Sequence, residues 1–331
     1  MPADARHTEK TTCVIAGGGP AGIMLGLLLA RGGVDVTVME KHADFLRDFR
    51  GDAVHASTLR LLDELGLADD FARMPHREID TVNMKIQGSE VSIDLSRIPG
   101  PHKHIALVPQ WDFLELLAAA AEKEPTFRLL RSTEVLADSP RRQRNRCQLP
   151  RQRGKGARTA CRVDGGETLH RGVVALVPWL AGHITSLTSF DDVKLLDVQL
   201  NRLRRWYTDG LLLIGDAAHA MSPVGGVGIN LAVADAVAAA GALAAPLRRG
   251  PLSTRQLARV QARRWLPAAL IQSVQRVIHT RVIAVAVSAG QPTRPPLLVR
   301  IANKVPALRT AAGYAVAIGP LPEHAPEFAR R

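Results

Sequence analysis

With 331 residues, 46% of them hydrophobic, the chain has material for one large globular domain or two, and neither a disordered nor a fibrous protein fits. The net charge of +12, from 43 basic and 31 acidic side chains, raises the question of nucleic acid. Much of the excess sits in one stretch, Arg141, Arg142, Arg144, Arg146, Arg151, Arg153, Lys155 and Arg158, which holds neither an acid nor an aromatic ring for base stacking, so a solvated loop is the expectation there.

In chain order, Met1 to Lys10 is polar and carries no signal-peptide core. Thr11 to Ala16 reads as a strand and runs directly into Gly17-Gly18-Gly19-Pro20-Ala21-Gly22. A helix pattern over 20–31, Gly32-Gly33 and a second strand over 34–39 follow, ending in Glu40. A glycine triplet alone would say little. Here Gly-x-Gly-x-x-Gly stands in the strand–turn–helix context that a dinucleotide fold requires. In that context Gly17 makes the tight turn, Gly19 lets a pyrophosphate approach, and Gly22 allows close helix–strand packing. Glu40, 18 residues beyond Gly22, is placed to bind an unphosphorylated ribose.

Next come a helix over 57–65 with Ser57 as N-cap and Gly66 as stop, and strands over 80–87 and 90–95 around Gly88 that suggest a hairpin. A helix over 110–123 ends before Pro125 and leads to a strand over 127–131. From about Asp138 to Val177 periodicity is lost; only Asp164 to His170 reads as a turn, with a strand over Gly172 to Leu176 behind it. Cys13, Cys147 and Cys161 are an odd set without metal-ligand spacing, so a reducing, cytoplasmic setting is expected.

Leu211 to Ile214 reads as a short buried strand that breaks at Gly215-Asp216. A loop with Pro223, Gly225, Gly226 and Gly228 follows, then an Ala-rich helix over 229–245 opened by Ile229 and Asn230. A carboxylate at a strand end, a glycine-bordered slot and a helix N-terminus describe a pocket for an anionic or reducible ring. The longest apolar run, Leu231 to Pro246, is broken by Asp235 and is expected to be too short to span a bilayer. A helical stretch over 254–288 with a kink at Pro267 and a proline-punctuated tail complete the chain. His219 is expected to be a packing residue, and His55, His102 and His104 form no metal set. No acid–base dyad or nucleophile stands out.

The two glycine-bearing stretches together resemble the FAD-dependent aromatic hydroxylases, the flavoprotein monooxygenases related to para-hydroxybenzoate hydroxylase. The resemblance covers residues 11–136 and about 178–325. It implies that Gly17, Gly19, Pro20, Ala21, Gly22, Glu40 and Lys41 hold the ADP half of FAD and that Gly215-Asp216 binds the ribityl chain. It also implies that Pro223, Gly225, Gly226, Gly228, Ile229 and Asn230 border the isoalloxazine ring. Arg50, in Asp48 to His55, looks like the family's arginine near the flavin, and Gln110 like the glutamine placed on FAD. Asp191 to Leu196 and Arg202 to Trp206 are similar to the usual lead-in to the Gly-Asp strand. NAD(P)H is implied as cosubstrate, with O2 and a small aromatic or apolar molecule as the other reactants.

The middle departs from the family, with only 104 residues between Gln110 and Gly215. Asp164-Gly165 with Thr168 and Arg171 is either the family's Asp-Gly motif or, in the favoured reading, the turn ahead of a motif lost with much of the substrate domain. The expected architecture is α/β: a Rossmann-like three-layer FAD-binding domain from residues 11–75, 109–136 and 211–245. A shortened β-sheet substrate domain comes from 76–108 and a remnant at 178–210, with 137–177 as a divergent basic segment and 246–331 as a C-terminal helical region. Three functions stay open: a monooxygenase, a catalytically impaired FAD-binding remnant, and, ranked last, a basic nucleic-acid-associated protein.

Overall fold

The computed structural model describes residues 10–46, 51–86, 89–135, 171, 174, 178–182, 184, 200–280 and 306–331. Strand Cys13–Ala16 runs parallel to Val36–Met39, which in turn pairs in parallel with Phe127–Leu130. Helix Pro20–Arg31 makes the first crossover, with Pro20 at the first helical position where its preset φ suits the start. Its Ile23, Met24, Leu27 and Leu28 are wholly buried, and Val36 and Val38 of the central strand join them in the main core. Helix Gln110–Glu122 packs against this crossover helix, giving the expected α/β beginning.

Much of the remaining sheet structure was not expected. Strand Ile105–Pro109 lies between Gly51–Val54 and Arg77–Ile79, antiparallel to both, and a short helix covers Ala68–Ala72. The expected hairpin is present as Thr81–Ile86 paired with Ser89–Asp94. Its Ile93 packs with Leu95, Ile98, Ile105, Ala317 and Ile318 in a second, smaller core.

Several local expectations are corrected. The helix after the third strand covers Ala56–Glu64 with His55 as N-cap, so Ser57 lies inside it, while Gly66 takes the left-handed conformation (φ +68°) just beyond its end. Leu211 to Ile214 is not the short buried strand expected. Leu211–Leu212 pairs with Tyr207–Thr208 across the two-residue Asp209-Gly210 turn, a locally closed hairpin, and all four residues from Leu211 to Ile214 are only partly buried. Arg171 and Val174 are helical, where a strand over 172–176 was expected. The basic stretch 141–158 and Asp164-Gly165 lie outside the described residues.

The apolar run around Leu231 is longer than its sequence suggested. The helix spans Val227–Arg249, 23 residues, and by length and composition alone would reach across a membrane. It is instead a core element: Ala236, Ala239 and Ala240 are completely buried, and their small side chains let helix Pro20–Arg31 pack along it. Helix Thr254–Ile278 follows, closed at its start by a capping box between Ser253 and Gln256, and it continues through Pro267. The segment expected to continue it to residue 288 lies outside the described residues beyond 280.

By its internal contacts the chain divides into one unit of residues 1–148 with 199–331, and another of residues 149–198. In the second, Pro178–Gly182 form a 3-10 turn on which Trp179 is exposed.

Candidate functional site

The first glycine turn is built by sterics. Gly17 has φ +108°, a region that side-chain-bearing residues avoid, and its N–H donates to the Met39 carbonyl at 2.8 Å. A Cβ on Gly22 would lie 2.0 Å from the Gly17 carbonyl oxygen, so the helix can approach the turn only with glycine there. A Cβ on Gly19 would meet nothing within 4 Å. That open side faces away from the protein, and helix Pro20–Arg31 begins there without a side-chain cap, leaving its first N–H groups available for an anion.

Glu40 is buried, at 3% exposure, and braces this turn. Its Oε2 accepts from the Gly18 N–H at 2.8 Å and its Oε1 from the His42 N–H at 3.0 Å. Lys41 beside it is exposed.

The second glycine turn meets the first. Gly215 has φ +57°, and a Cβ there would come 3.1 Å from the Ala21 side chain and 3.3 Å from that of Ala232. Asp216 is exposed, and its carboxylate has no protein partner among the described residues. Behind the turn Asp235, fully buried, accepts the Gly215 N–H at 3.0 Å and His219 Nε2 at 2.6 Å. Burial works against ionisation of Asp235, yet the hydrogen bond from His219 and the charges of His219 and Arg264 hold its carboxyl below the usual carboxylate range. The only signal for this in the sequence was an acid interrupting an apolar run.

The Pro223 loop is anchored from two sides. Ser222 donates its N–H to Gln275 Oε1, and Gln275 Nε2 donates to the carbonyls of Ser222 and Val224. Gln272 does the same for the carbonyls of Ala220 and Asn201. Neither glutamine was singled out in the sequence, because their value depends on where helix Thr254–Ile278 docks. On the other side, Gly226 (φ +60°) abuts strand Gly51–Val54: a Cβ there would sit 2.5 Å from that of Ala53.

Asn230 joins the same pieces, with all four amide hydrogen-bond positions used. Its Oδ1 accepts from the His55 N–H and the Thr58 hydroxyl, and its Nδ2 donates to the carbonyls of Ala53 and Gly226. The side chain is thus a clasp that ties the loop and the helix start to the strand. Pro223 and Gly225 are exposed, whereas Ile229 is buried. Gln110 heads its helix next to the start of strand Gly51–Val54, since Pro109 pairs with Gly51. Arg50 falls outside the described residues. The cavity lined by His55, Asn230, Arg264, Val316, Leu321 and Glu323 lies on the side of the C-terminal tail and includes none of the first glycine turn.

His55 is buried between loop and tail, with Nε2 3.1 Å from the Gly225 carbonyl. Burial outweighs its backbone hydrogen bonds and depresses its pKa to about 4. The unfolded chain, with an ordinary histidine near 6.5, binds more protons than the fold between those values, so stability should fall as pH drops from about 6.5 to 4. The full contribution is on the order of 3 kcal/mol. Urea unfolding at pH 7.5 and 5.0 should therefore show a smaller pH dependence in His55→Gln than in the parent; equal dependence would refute a buried neutral His55.

Comparisons with known proteins follow the same geometry. A family model described as an FAD binding domain matches residues 10–172 and 164–271. The 6-methylpretetramide 4-monooxygenase of Streptomyces rimosus is 30% identical, over 93% of this chain and 92% of that protein. The p-hydroxybenzoate hydroxylase of Acinetobacter baylyi is 27% identical over 39% of this chain and 32% of its own length. The solved structure of an anhydrotetracycline hydroxylase from Streptomyces rimosus shares the fold, with a TM-score of 0.65 at 20% identity, over 92% of this chain and 75% of that one.

Proposed function

Given that this chain belongs to the FAD-dependent aromatic hydroxylases, the monooxygenases that carry this FAD binding domain, we propose that it uses NAD(P)H and O2 to hydroxylate an aromatic or otherwise apolar small molecule. The observation that carries the reading is the meeting of the two glycine turns at Ala21 and Gly215, with Asp216 open beside them. The residues present fit FAD: the space beside Gly19 suits a pyrophosphate, and an uncapped helix start adjoins it.

In this reading Gly17, Gly19, Pro20, Ala21 and Gly22 take the pyrophosphate, Glu40 the ribose and Asp216 a ribityl hydroxyl, with Lys41, Arg50 and Gln110 at the margins. Pro223, Gly225, Gly226 and Gly228 border the ring, and the amides of Ile229 and Asn230, with the helix dipole, stabilise negative charge on its edge. Bound FAD supplies the redox chemistry; the chain binds it, orients it and excludes water. The relative named for 6-methylpretetramide supports a polycyclic aromatic substrate. We assign residues 11–75, 109–136 and 211–245 to the cofactor domain and 76–108 with 178–210 to the substrate layer.

The test is the visible spectrum of purified protein after FAD addition and removal of excess. Retained flavin bands near stoichiometry are expected. Asp216→Ala should weaken FAD binding about ten- to a hundredfold, the worth of one charge-assisted hydrogen bond, with the melting temperature of the flavin-free protein unchanged. Colourless parent protein would defeat the proposal.

A second reading, FAD binding without turnover, draws on one observation. The strand Cys13–Ala16 is an edge of the parallel sheet among the described residues, with Val14 at 51% exposure, and the Gly-Asp turn is fed from a separate hairpin. Flavin-loaded protein that fails to oxidise NADH and NADPH in the presence of aromatic substrates would favour it.

A further inference from the structure

Behind the Gly215-Asp216 turn, four ionisable side chains from four parts of the chain, His219, Asp235, Arg264 and Glu323, meet in the interior. Asp235, on the core helix, has both carboxylate oxygens engaged: Oδ2 by the Gly215 N–H and His219 Nε2, and Oδ1 by Arg264 Nε at 2.9 Å. Arg264, on helix Thr254–Ile278, is 1% exposed and also donates through Nη1 to Glu323 at 3.3 Å and the Leu321 carbonyl at 3.4 Å. Glu323, on the tail, is 8% exposed and accepts a bidentate pair of bonds from Arg263. His219 lies against Trp206 with the rings tilted by 52° and centroids 5.0 Å apart, and its Nδ1 finds no partner among the described residues, while a proton on Nε2 bridges to Asp235.

We propose that Asp235 is a positioning residue for the cofactor turn, and that the Arg264–Glu323 pair sets the geometry of that turn through it, so that the C-terminal tail governs flavin affinity. The inference rests on the FAD reading above. Gly215 adopts a left-handed conformation, and its N–H has a single acceptor, the oxygen that also takes His219. Backbone pairing holds the chain on either side, Leu211–Leu212 with Tyr207–Thr208 and His219–Ala220 with Asn201–Arg202, while the Gly215 amide between them is held by the end of an ionic chain. Asp216, the next residue, presents its carboxylate outward from that hinge. A buried carboxylate keeps its place only while its cation does. Arg264 is shared between two carboxylates, and weakening either bond lets the guanidinium move toward the other. Neutralising Glu323 thus shifts Arg264, and with it Asp235 and the Gly215 amide, without altering any residue that would touch the flavin.

The experiment compares parent, Glu323→Gln, Glu323→Asp, Arg264→Lys and Leu117→Ala. The last removes a fully buried side chain on helix Gln110–Glu122, outside the network, and reports the effect of lost stability alone. FAD affinity is read from flavin fluorescence on titration of apoprotein, and hydrogen exchange is followed in the segment 211–218. Glu323→Gln and Arg264→Lys should weaken FAD by about tenfold or more and speed exchange at 211–218, with Glu323→Asp recovering much of both. Leu117→Ala should lower the melting temperature while leaving FAD affinity within about threefold of the parent. Equal loss of affinity in Leu117→Ala, or unchanged affinity in both network variants, would overturn the proposal. If the parent itself binds no FAD, the cofactor reading falls, and exchange decides the coupling: faster exchange in Glu323→Gln upholds it and unchanged exchange overturns it. Should Arg264→Lys fail to fold, the Glu323 pair carries the same decision.

Discussion

Gly22→Ala is expected to abolish FAD retention and to lower the melting temperature by about 5–10 °C, the consequence of roughly 3 kcal/mol lost. The added methyl carbon would lie 2.0 Å from the Gly17 carbonyl oxygen and 3.3 Å from the Ile15 side chain. No rotamer change relieves a clash with backbone, so helix Pro20–Arg31 must lift from the strand that precedes it. That opens the interior around Ile23 and Leu27, both wholly buried. Gly19→Ala is the informative partner. Its methyl would meet nothing within 4 Å, so the flavin-free protein should melt as the parent does, while the methyl occupies the space a pyrophosphate needs. Differential scanning fluorimetry with and without FAD separates the two. A Gly22→Ala protein with parental melting temperature would show that helix and strand are not packed as described.

The second large effect is expected for Asn230→Leu, about 2–4 kcal/mol of stability with loss of flavin binding. Leucine keeps the branching at Cγ but is bulkier, and it removes the acceptor for the His55 N–H, at 2.9 Å, and for the Thr58 hydroxyl, at 2.7 Å. Each buried donor left unpaired costs on the order of 1–3 kcal/mol, far more than the net worth of the bond it made. The same change frees the loop from strand Gly51–Val54, because the Ala53 and Gly226 carbonyls lose their shared donor. Asn230→Asp, which keeps the acceptor and loses the donor, should fall between parent and Asn230→Leu in chemical denaturation. If Asn230→Leu matched the parent, the clasp would carry no stability and the loop would be held by its other anchors, Gln275 and His55 among them.

Local and distant determinants separate cleanly in this molecule. The N-terminal strand, turn, helix and second strand were legible because each depends on neighbours within about one supersecondary unit, and the glycine positions carry their own steric reasons. Gly215-Asp216 and the Pro223 to Asn230 loop were legible as turn chemistry. The strands Gly51–Val54, Arg77–Ile79 and Ile105–Pro109 were not, since strand propensity reports the packing of a pleated surface whose partners lie far along the chain. The hairpin Tyr207–Leu212 did carry a signal, Asp209-Gly210 between short apolar-aromatic runs, which the apolar pattern after it obscured.

By itself, then, the sequence determined the family, the dinucleotide-type turn and the set of glycines that leave room for a cofactor, because those features are encoded by excluded volume and backbone conformation at single positions. What only the tertiary structure decided is how the polar residues are used. Glu40 braces the glycine turn it follows, Asn230 clasps a strand 177 residues earlier, and Asp235 ties the Gly215 turn to Arg264 and, through it, to Glu323. A hydrogen bond or buried charge gains its worth from the partner that satisfies it, and those partners exist only once the chain has folded.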